Sequence, residues 1–346
     1  MNDLDGADVC VVNTCTVTSQ ADAQARRYVR RLRRENPGAR IVVAGCSAAL
    51  EPEMYRRIGG PVAVVGGQDP VAVAGAAEGA GSGSGLVQLE LRSRLDRIDT
   101  EPVGAELLGR RDGATRGWLK IQDGCDRKCS FCATRLARGP SRSRSPEEVV
   151  AEARLLARNH PELVLTGIHI GHYGRDLPPG PAGAWTLARL LARLLDALPD
   201  VRFRLGSVEA TEVDDLLLDL LATSGGRVAP HLHMPLQSGA DPVLRRMRRW
   251  YTREMYRRRT LEIVARLPTL GLGADIITGF PGESDADHAA TVELVQELPY
   301  TYLHVFPFSR RARTPAAELN DLEPVPQRVA GERSRELRDR VRAKAR

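Results

Sequence analysis

The sequence predicts an α/β protein in which a partial parallel (β/α) barrel follows a small βαβ domain. Two observations support this prediction. A short alternation of strand and helix patterns opens the chain, and six further strand-like segments, separated by helical patterns, follow a run of small residues. The 346 residues, of which 42% are hydrophobic, suffice for one large domain and a smaller one.

The first predicted domain covers residues 1–77. Its apolar residues indicate three strands with helical patterns between them, which is a βαβαβ unit. The strands are expected at 8–13, 40–44 and 62–65, and the helices at 21–34 and 52–58. The run from Gly79 to Gly85 contains only Gly, Ala and Ser, so we expect an interdomain linker over 78–112.

The second predicted domain, residues 113–326, is the barrel. Its strands are expected at 118–122, 162–167, 201–206, 229–234, 273–278 and 302–306. A polar segment follows each strand, and barrel enzymes build their active sites at the C-terminal ends of the strands. We therefore expect the six segments to surround one barrel mouth. The charged pattern at 327–346 predicts a solvated terminal helix rather than an RNA-binding element.

Three cysteines in the spacing CxxxCxxC, Cys125, Cys129 and Cys132, follow the first barrel strand. They supply three thiolates, one too few to complete a tetrahedral zinc site or a four-iron cluster. A structural zinc site needs a second ligand pair, which the sequence near Cys132 lacks, and three unligated core cysteines in one loop are unusual. We therefore favour an iron-sulfur cluster with one open iron, and such an iron can chelate the amino and carboxylate groups of S-adenosyl-L-methionine. Phe131 is expected to pack against the adenine or to be plain core.

Composition narrows the class of protein. No apolar run is long enough to span a membrane, and the chain opens without a signal-peptide pattern, so we expect a cytoplasmic protein. Six cysteines in a reducing compartment favour metal ligation over disulfides. The formal net charge of +6 gives weak support for a polyanionic partner.

Arginine residues are concentrated in two places. Arg138, Arg142 and Arg144 follow the cysteine loop and are candidates for contact with nucleic acid. A second group lies between residues 245 and 259, where three aromatic residues are interleaved with eight arginines. Arginine beside aromatic side chains suits phosphate contact and base stacking, but a solvated helix face explains the second group equally well.

Several longer motifs extend over residues 8–317. They are Val12–Thr18, Gly45-Cys46, Lys120–Cys125, Arg138-Gly139, Ser141–Arg144, Val164–Ile168, Tyr173-Gly174, His231–Gly239 and Asp275–Glu283. On these motifs the chain resembles the methylthiotransferases among the radical S-adenosylmethionine (radical SAM) enzymes. The segment Leu165–Asp176 is similar to the branch that acts on N6-threonylcarbamoyladenosine beside the tRNA anticodon.

The resemblance implies a barrel of the radical SAM type and two 4Fe-4S clusters. The cluster at Cys125, Cys129 and Cys132 would bind S-adenosyl-L-methionine and cleave it reductively, which activates C2 of the adenine. A second cluster in the N-terminal domain would deliver sulfur carrying a methyl group. The implied partners are a tRNA anticodon stem-loop and a reducing electron donor, and we expect a monomer.

The motifs also imply further site residues. Thr166 and Gly167 match contacts to the methionine part of the cofactor. Glu209 and Gln237 match polar contacts to the nucleoside. For Glu209 the alternative is an ordinary ion pair, for example with Arg204.

Three positions have no assigned role. His231 and His233 lie two residues apart on a predicted strand and therefore share one face. A hydrogen-bonded role in the core suits them at least as well as catalysis. Arg313 stands where the family commonly has glycine, and the sequence does not indicate the effect of this change.

The N-terminal domain departs from the family pattern. Its cluster should have three cysteine ligands, of which Cys15 and Cys46 match the second and third. The first belongs to an opening strand ahead of Asp8, so in this sequence the domain is truncated and its cluster lacks one ligand. Either the true start lies upstream, or the chain holds this cluster weakly or not at all. Cys10 lies five residues before Cys15 and points to the opposite strand face, so we expect it in the core. The C-terminal RNA-binding β-barrel of the family is also expected to be absent.

Other functions stay open on the sequence alone. Related branches of the family act on isopentenyladenosine in tRNA or on an aspartate of a ribosomal protein. A further alternative is a truncated form that holds a cluster and binds RNA without completing thiomethylation. We favour modification of threonylcarbamoyladenosine, because of the segment Leu165–Asp176 and the basic, aromatic-containing segments.

Overall fold

The computed structural model describes residues 7–79, apart from 59, 61, 68 and 69, and residues 115–344, apart from 181 and 182. The chain divides into two compact units. The first comprises residues 1–103, 132–140 and 309–313, and the second comprises the other residues. Most of the linker predicted at 78–112 lies outside the described residues.

The first unit contains a parallel three-stranded sheet. Its strands, in the order β1-β2-β3, are β1 Val9–Thr14, β2 Arg40–Gly45 and β3 Val62–Val64. Its helices are α1 Ser19–Glu35, α2 Cys46–Leu50, α3 Pro52–Arg56, α4 Pro70–Glu78 and α5 Thr134–Arg138. The predicted βαβαβ order is confirmed.

Cys10 lies in the core of the first unit. Its side chain is 5% exposed and belongs to the same apolar cluster as Val12 and Ile41. Alternation along β1 turns every second side chain inward, so Cys10 and Val12 are buried while Val11 between them is exposed. The prediction that Cys10 is a core residue is therefore confirmed.

Arg313 has a φ of +65°, in the left-handed region that favours glycine. We expect Arg313→Gly to raise the free energy of unfolding by about 0.5–1 kcal/mol, because relief of the backbone strain exceeds the entropy cost of a more flexible unfolded chain. Urea denaturation measures this change. Arg313→Ala is the matched control, since it removes the same side chain but keeps Cβ; equal midpoints for both variants would contradict the explanation.

The second unit contains six parallel strands in two three-stranded sheets. The first sheet consists of β4 Arg116–Lys120, β7 Glu162–Thr166 and β8 Arg202–Leu205. The second consists of β9 His231–His233, β10 Gly271–Thr278 and β11 Tyr302–Pro307. Parallel bridges from Phe203 to Val228 and from Ser207 to His233 join the sheets into a partial barrel. All six predicted barrel strands are confirmed, and a short antiparallel pair, β5 Gln122–Asp123 and β6 Arg142–Ser143, accompanies them.

Helices lie between the barrel strands and after the last of them. They are α6 Pro146–Ala157, α7 Leu187–Ala197, α8 Asp215–Thr223, α9 Asp241–Arg246, α10 Arg253–Arg266, α11 Asp285–Glu297, α12 Pro315–Leu322 and α13 Gln327–Lys344. Several begin at a Ser, Thr or Asp whose side chain accepts a hydrogen bond from the first turn, as Ser145 does for α6 and Thr252 for α10. None of the described helices combines the length and the apolar character needed to cross a membrane.

One face of the terminal helix α13 is buried. Leu337 and Val341, four residues apart, belong to the main core, and their side chains are 0% and 4% exposed. The buried Arg333 donates hydrogen bonds of 2.7 Å to Glu283 and Asp285. The expectation of a solvated terminal helix is therefore wrong for this face, because the helix carries an apolar stripe among its many charges.

Alternation along the barrel strands separates two faces. Leu163, Phe203 and Ile276 represent the set that packs in the main core with the helices. The alternate residues form the concave side, which we call the inner face. The inner face carries Arg116, Trp118, Lys120, Glu162, Val164, Thr166, Arg202, Arg204, His231, His233, Gly273, Asp275, Ile277, Tyr302, His304 and Phe306.

Candidate metal centre

The three cysteines of CxxxCxxC lie on the loop that follows β5. Cys125 and Cys129 are half-buried, Cys132 is exposed, and none of the six cysteines, all of which the structure describes, forms a disulfide. Core cysteines are usually fully buried, as Cys10 is, so the accessibility of the three loop thiols fits metal ligation better than a structural role.

Gln122 fixes the start of this loop. Its side chain is fully buried, and Nε2 donates to the carbonyl oxygens of Asp123 at 2.8 Å and Gly124 at 2.7 Å. Its Oε1 accepts a hydrogen bond of 2.8 Å from the backbone N–H of His169, in the segment after β7. Gly124 has a φ of +70°, so the turn into the cysteines favours glycine. The buried side-chain amide of Gln122 thus links the segment after β5 to the segment after β7.

Arg249 supports the loop at Cys129. Its Nη2 donates to both oxygens of Glu209, at 2.6 and 2.7 Å, and its Nη1 lies 3.3 Å from Cys129 Sγ. The guanidinium also lies over the rings of Trp250, at 4.3 Å, and Tyr251, at 4.9 Å. Because the Arg249 side chain is only 4% exposed, its positive charge acts on Cys129 with little screening, which favours the thiolate.

Glu212 supports the loop at Cys125 through His169 and Arg127. His169 Nδ1 lies 3.5 Å from Cys125 Sγ, and His169 Nε2 lies 2.8 Å from Glu212 Oε2. Arg127, from the loop itself, donates to Glu212 Oε1 at 3.0 Å and stacks over Trp250. The same carboxylate therefore orients a histidine next to one cysteine and holds an arginine of the cysteine loop.

The two carboxylates respond differently to burial. Burial raises the pKa of Glu209, although Arg249 counteracts it. Burial also acts to raise the pKa of Glu212, but its contacts with His169, His172 and Arg127 outweigh burial and hold that pKa well below its usual range. Glu212 is therefore ionised at neutral pH and lies beside the cysteine loop.

Sequence reasoning missed the roles of Arg249, His169 and Glu212. Arg249 is one of eight arginines between residues 245 and 259, and the sequence does not set it apart from the others. Glu212 ends the 3₁₀ helix Ala210–Glu212, and no sequence motif marks it as a site residue. Glu209 was expected near the nucleoside, with an ion pair to Arg204 as the alternative. The structure supports the alternative of an ion pair, with Arg249 as the arginine and not Arg204. The nucleoside contact stays a prediction.

Thr166 and Gly167 lie next to the start of the cysteine loop. The Thr166 carbonyl accepts a hydrogen bond of 2.9 Å from the N–H of Ile121. A Cβ atom on Gly167 would come within 2.8 Å of the Gln122 carbonyl oxygen, so only glycine fits at this close approach. Both residues are half-buried, and their contact with the cofactor stays a prediction.

Gln237 has a φ of +67° although it is not glycine. Its N–H donates to the Asp275 carbonyl at 2.8 Å, and its carbonyl accepts from Ile277 N–H at 2.9 Å, so the strained backbone is held on both sides. We expect Gln237→Gly to stabilise the fold by about 0.5–1 kcal/mol, because glycine adopts this φ without strain. We also expect weaker binding of S-adenosyl-L-methionine, because a strained residue at a functional site is generally retained for the function of its side chain.

Equilibrium dialysis with S-adenosyl-L-methionine and urea denaturation test this prediction. Arg248→Gly is the control, because Arg248 also has a positive φ, +57°, but is exposed. It should stabilise the fold without changing cofactor affinity. Unchanged affinity in Gln237→Gly would remove Gln237 from the binding site.

Phe131 is partly buried against the cluster that contains Phe280, Phe308 and Met247. This packing supports the alternative that Phe131 is a core residue. Part of the ring stays accessible, and its contact with an adenine stays a prediction.

Cys15 and Cys46 lie at one edge of the first unit. Thr14 pairs with Gly45 in the β1-β2 register, so the next residue of each strand leaves the same edge of the sheet. Arg138 Nε lies 3.0 Å from Cys46 Sγ. The two thiols thus come from neighbouring strand ends, and the Arg138 guanidinium lies beside one of them.

Some residues of the two basic segments are buried and do not have the roles predicted for them. Arg144 is 3% exposed, donates to the Lys120 carbonyl at 2.9 Å and forms a buried ion pair with Glu152, so this conformation gives it a structural role rather than the predicted contact with nucleic acid. Tyr251 and Tyr256 are also buried, so they offer no stacking surface. Arg142 is half-buried, and its contact with nucleic acid stays a prediction, as does that of Arg138.

Comparison with known proteins identifies the family. A model described as the radical SAM superfamily matches residues 119–295, and one described as uncharacterized protein family UPF0004 matches residues 1–67. The threonylcarbamoyladenosine tRNA methylthiotransferase MtaB of Rickettsia prowazekii is 36% identical over 341 residues, which cover 97% of this chain and 76% of that protein. The chain belongs to the radical SAM methylthiotransferase family.

Two further members of this methylthiotransferase family differ in the substrate that their names state. MtaB of Bacillus subtilis is 38% identical over 91% of this chain and 68% of its own length. The tRNA-2-methylthio-N(6)-dimethylallyladenosine synthase of Sorangium cellulosum is also 38% identical, over 95% of this chain and 69% of its own length. Identity alone therefore does not separate the two substrates.

Solved structures confirm the radical SAM fold. The radical S-adenosylmethionine methyltransferase TsrM of Kitasatospora setae matches with a TM-score of 0.63 at 18% identity, over 90% of this chain and 66% of that chain. Coproporphyrinogen III oxidase HemN of Escherichia coli matches with a TM-score of 0.51 at 17% identity, over 70% and 56% of the two chains. At these identities the likeness supports the predicted partial barrel and nothing finer.

Proposed function

We infer that this chain is a tRNA methylthiotransferase that adds a methylthio group to C2 of N6-threonylcarbamoyladenosine at position 37, beside the anticodon. The observation that carries the chemistry is the complete set of three thiols on one loop, with Arg249 beside Cys129 and His169 beside Cys125. Three thiolates hold a 4Fe-4S cluster and leave one iron open for a ligand.

The residues of the loop would hold the cluster, and the residues around it offset its charge and fix the positions of its ligands. Cys125, Cys129 and Cys132 would hold the cluster, which when bound supplies the electron that cleaves S-adenosyl-L-methionine. Arg249 offsets the negative charge of the thiolates, while its ion pair with Glu209 fixes its position. Partners in the outer shell of a metal site orient the ligands and tune the metal.

Further residues would place the cofactor. Thr166 and Gly167 end β7 next to the loop, and Gln237 is held in a strained conformation after β9. We assign Thr166 and Gly167 to the methionine part and Gln237, with Glu209, to the nucleoside. This assignment follows the barrel rule that ligands bind at the C-terminal ends of the strands.

Cys15 and Cys46 would serve the second 4Fe-4S cluster, which delivers the sulfur. Their origin at neighbouring strand ends and the contact between Arg138 and Cys46 support this assignment. The protein would act on the anticodon stem-loop of a tRNA in the cytoplasm, as a monomer, with electrons from a reducing donor. A reducing compartment keeps the ligand thiols available for iron.

Purified, anaerobically reconstituted protein tests the function directly. It is incubated with S-adenosyl-L-methionine, dithionite and an anticodon stem-loop that contains threonylcarbamoyladenosine, and the nucleosides are analysed by mass spectrometry. We expect the 2-methylthio nucleoside with the intact chain and none with Cys125→Ala. Modification of a dimethylallyladenosine stem-loop instead would establish the second candidate, which the Sorangium relative supports.

A further inference from the structure

The inner face of the barrel carries an excess of positive charge around Glu162. The Nε atoms of Arg204, Arg116 and Arg202 lie 2.7, 2.8 and 3.8 Å from the oxygens of this single carboxylate. Burial acts to raise the pKa of Glu162, but the three guanidiniums outweigh it and lower the pKa. Glu162 is therefore ionised at neutral pH and offsets only one of three positive charges. We call Arg116, Arg202 and Arg204 the arginine group.

The other polar residues of the inner face compensate one another. Tyr302 Oη lies 2.8 Å from His231 Nε2 and 3.0 Å from His233 Nδ1. Asp275 Oδ1 lies 3.0 Å from His233 Nε2 and 3.4 Å from His304 Nδ1. Burial lowers the pKa of His231, so this ring carries no charge at pH 7. Lys120, the remaining cation of the inner face, lies 2.9 Å from Asp123. Among the described residues of the inner face, the arginine group is therefore the largest concentration of positive charge.

The strand register places the arginine group at a defined depth below the cysteine loop. Arg204 is level with Val164, and Arg202 is level with Glu162. Thr166, two residues beyond Val164, lies next to the cysteine loop. A parallel strand rises about 3.3 Å per residue, so these rows lie about 7 and 13 Å from the level of Thr166. The row of Arg204, about 7 Å away, is within reach of a short substituent on a purine at the level of Thr166, and the long side chains of Arg116 and Arg202 span part of the distance to the second row.

The arginine group is accessible and has an aromatic neighbour. The side chains of Arg116 and Arg202 are 53% and 45% exposed. Trp118 follows two residues after Arg116 on the same face of β4 and is 53% exposed. An exposed indole beside guanidiniums offers a base a stacking surface and an anion its hydrogen-bond donors.

We propose that the arginine group binds the carboxylate of the threonylcarbamoyl substituent of the substrate, an inference that rests on the proposed function. Glu162 contacts Arg116 and Arg204 through Nε, so their Nη groups stay available for a second carboxylate. Guanidiniums bind carboxylates through paired, charge-assisted hydrogen bonds. Glu162 is thus a positioning residue that keeps the donors in place.

This assignment explains how the chain would reject the alternative substrate. A dimethylallyl substituent has no charge and no acceptor. Its entry would remove water from the arginine group without replacing the lost hydrogen bonds, and such unpaired polar groups disfavour the wrong ligand. The arginine group therefore selects the substrate by charge.

The test compares three anticodon stem-loops bound to the reconstituted full chain. One carries threonylcarbamoyladenosine, one carries its uncharged methylamide, and one carries dimethylallyladenosine. Fluorescence anisotropy gives the Kd of each RNA. We expect the acid form to bind about 10- to 100-fold more tightly than the methylamide, as charge-assisted hydrogen bonds predict.

Two variants test whether the arginine group causes the preference for the acid form over the methylamide. Arg204→Met and Arg202→Met should each weaken binding of the acid form about 10-fold and leave the methylamide unchanged. Arg202→Met guards against a folding defect, because Arg202 is half exposed and lies farthest from Glu162. Arg193→Met is the control, since Arg193 lies on α7, is 48% exposed and pairs only loosely with Glu147.

The outcomes separate the two hypotheses. If both variants keep the wild-type ratio of acid to methylamide affinity, the arginine group does not read the carboxylate, whether or not the RNA is modified. If the wild-type chain methylthiolates none of the RNAs, the proposed function is wrong, and the affinity ratio still decides the role of the arginine group.

Discussion

Arg249→Met is expected to lower the free energy of unfolding by about 3–5 kcal/mol, because it leaves the buried Glu209 carboxylate without its partner. The same change removes the cation 3.3 Å from Cys129 Sγ, so we also expect weaker retention of iron. Urea denaturation measures the first effect, and the rate of iron loss to a chelator measures the second.

The stability loss in this variant should depend on pH. Burial already raises the pKa of Glu209, and removal of Arg249 raises it further. The folded variant then keeps a proton that the wild-type folded state releases at lower pH, so the loss of stability relative to wild type grows as the pH rises above the raised pKa of Glu209 in the wild type. A loss that is equal at pH 5 and pH 8 would show that Glu209 is not the orphaned group.

Two further variants control this prediction. Arg258→Met changes an arginine of the same basic segment whose side chain is 71% exposed, so its effect should stay within about 0.5 kcal/mol. Arg249→Met combined with Glu209→Gln removes the unpaired charge and should recover part of the stability while iron retention stays low. Similar unfolding for Arg249→Met and Arg258→Met would contradict a buried ion pair.

Cys129→Ala is expected to lower the iron content of reconstituted protein by about four irons per chain, because a 4Fe-4S cluster with two thiolates is not held firmly. Reductive cleavage of S-adenosyl-L-methionine should then be lost. Iron analysis and chromatography for deoxyadenosine measure the two effects. The second effect distinguishes a radical SAM enzyme from an RNA-binding protein with a structural cluster.

Cysteines elsewhere in the chain provide matched controls. Cys10→Ala alters a buried core thiol and should leave the iron content unchanged, with a modest stability cost of about 1 kcal/mol. Cys15→Ala should remove only the iron of the N-terminal cluster and leave cofactor cleavage intact. Equal iron content in Cys129→Ala and Cys10→Ala would refute the cluster at the barrel mouth.

Much of the fold follows from local sequence patterns. Alternation of apolar residues predicted the strands of both units, and the same alternation placed Cys10 in the core and His231 beside His233 on one face. The strand ends were predicted to within a few residues, because turn residues and helix caps lie next to them in the chain. The buried stripe of α13 was missed because its apolar residues are few among many charges.

Pairing between distant residues could not be predicted in the same way. Glu209 was expected to contact a nucleoside or to pair with an arginine such as Arg204, and the arginine that pairs with it is 40 residues away in a segment that contains eight arginines. Arg144 had the pattern of a nucleic-acid contact and is instead buried against Glu152. A choice among chemically equal arginines depends on which one the fold brings to the carboxylate.

The sequence by itself determined the three loop thiols, the order of strands and the family, because these depend on the spacing of residues along one segment. The tertiary structure decided what surrounds the thiols and what lines the barrel. It selected Arg249 for Cys129, His169 for Cys125 and the arginine group for Glu162. The physical reason is that burial strengthens a charge interaction between residues far apart in the chain, and only the packed strands fix which residues are buried together.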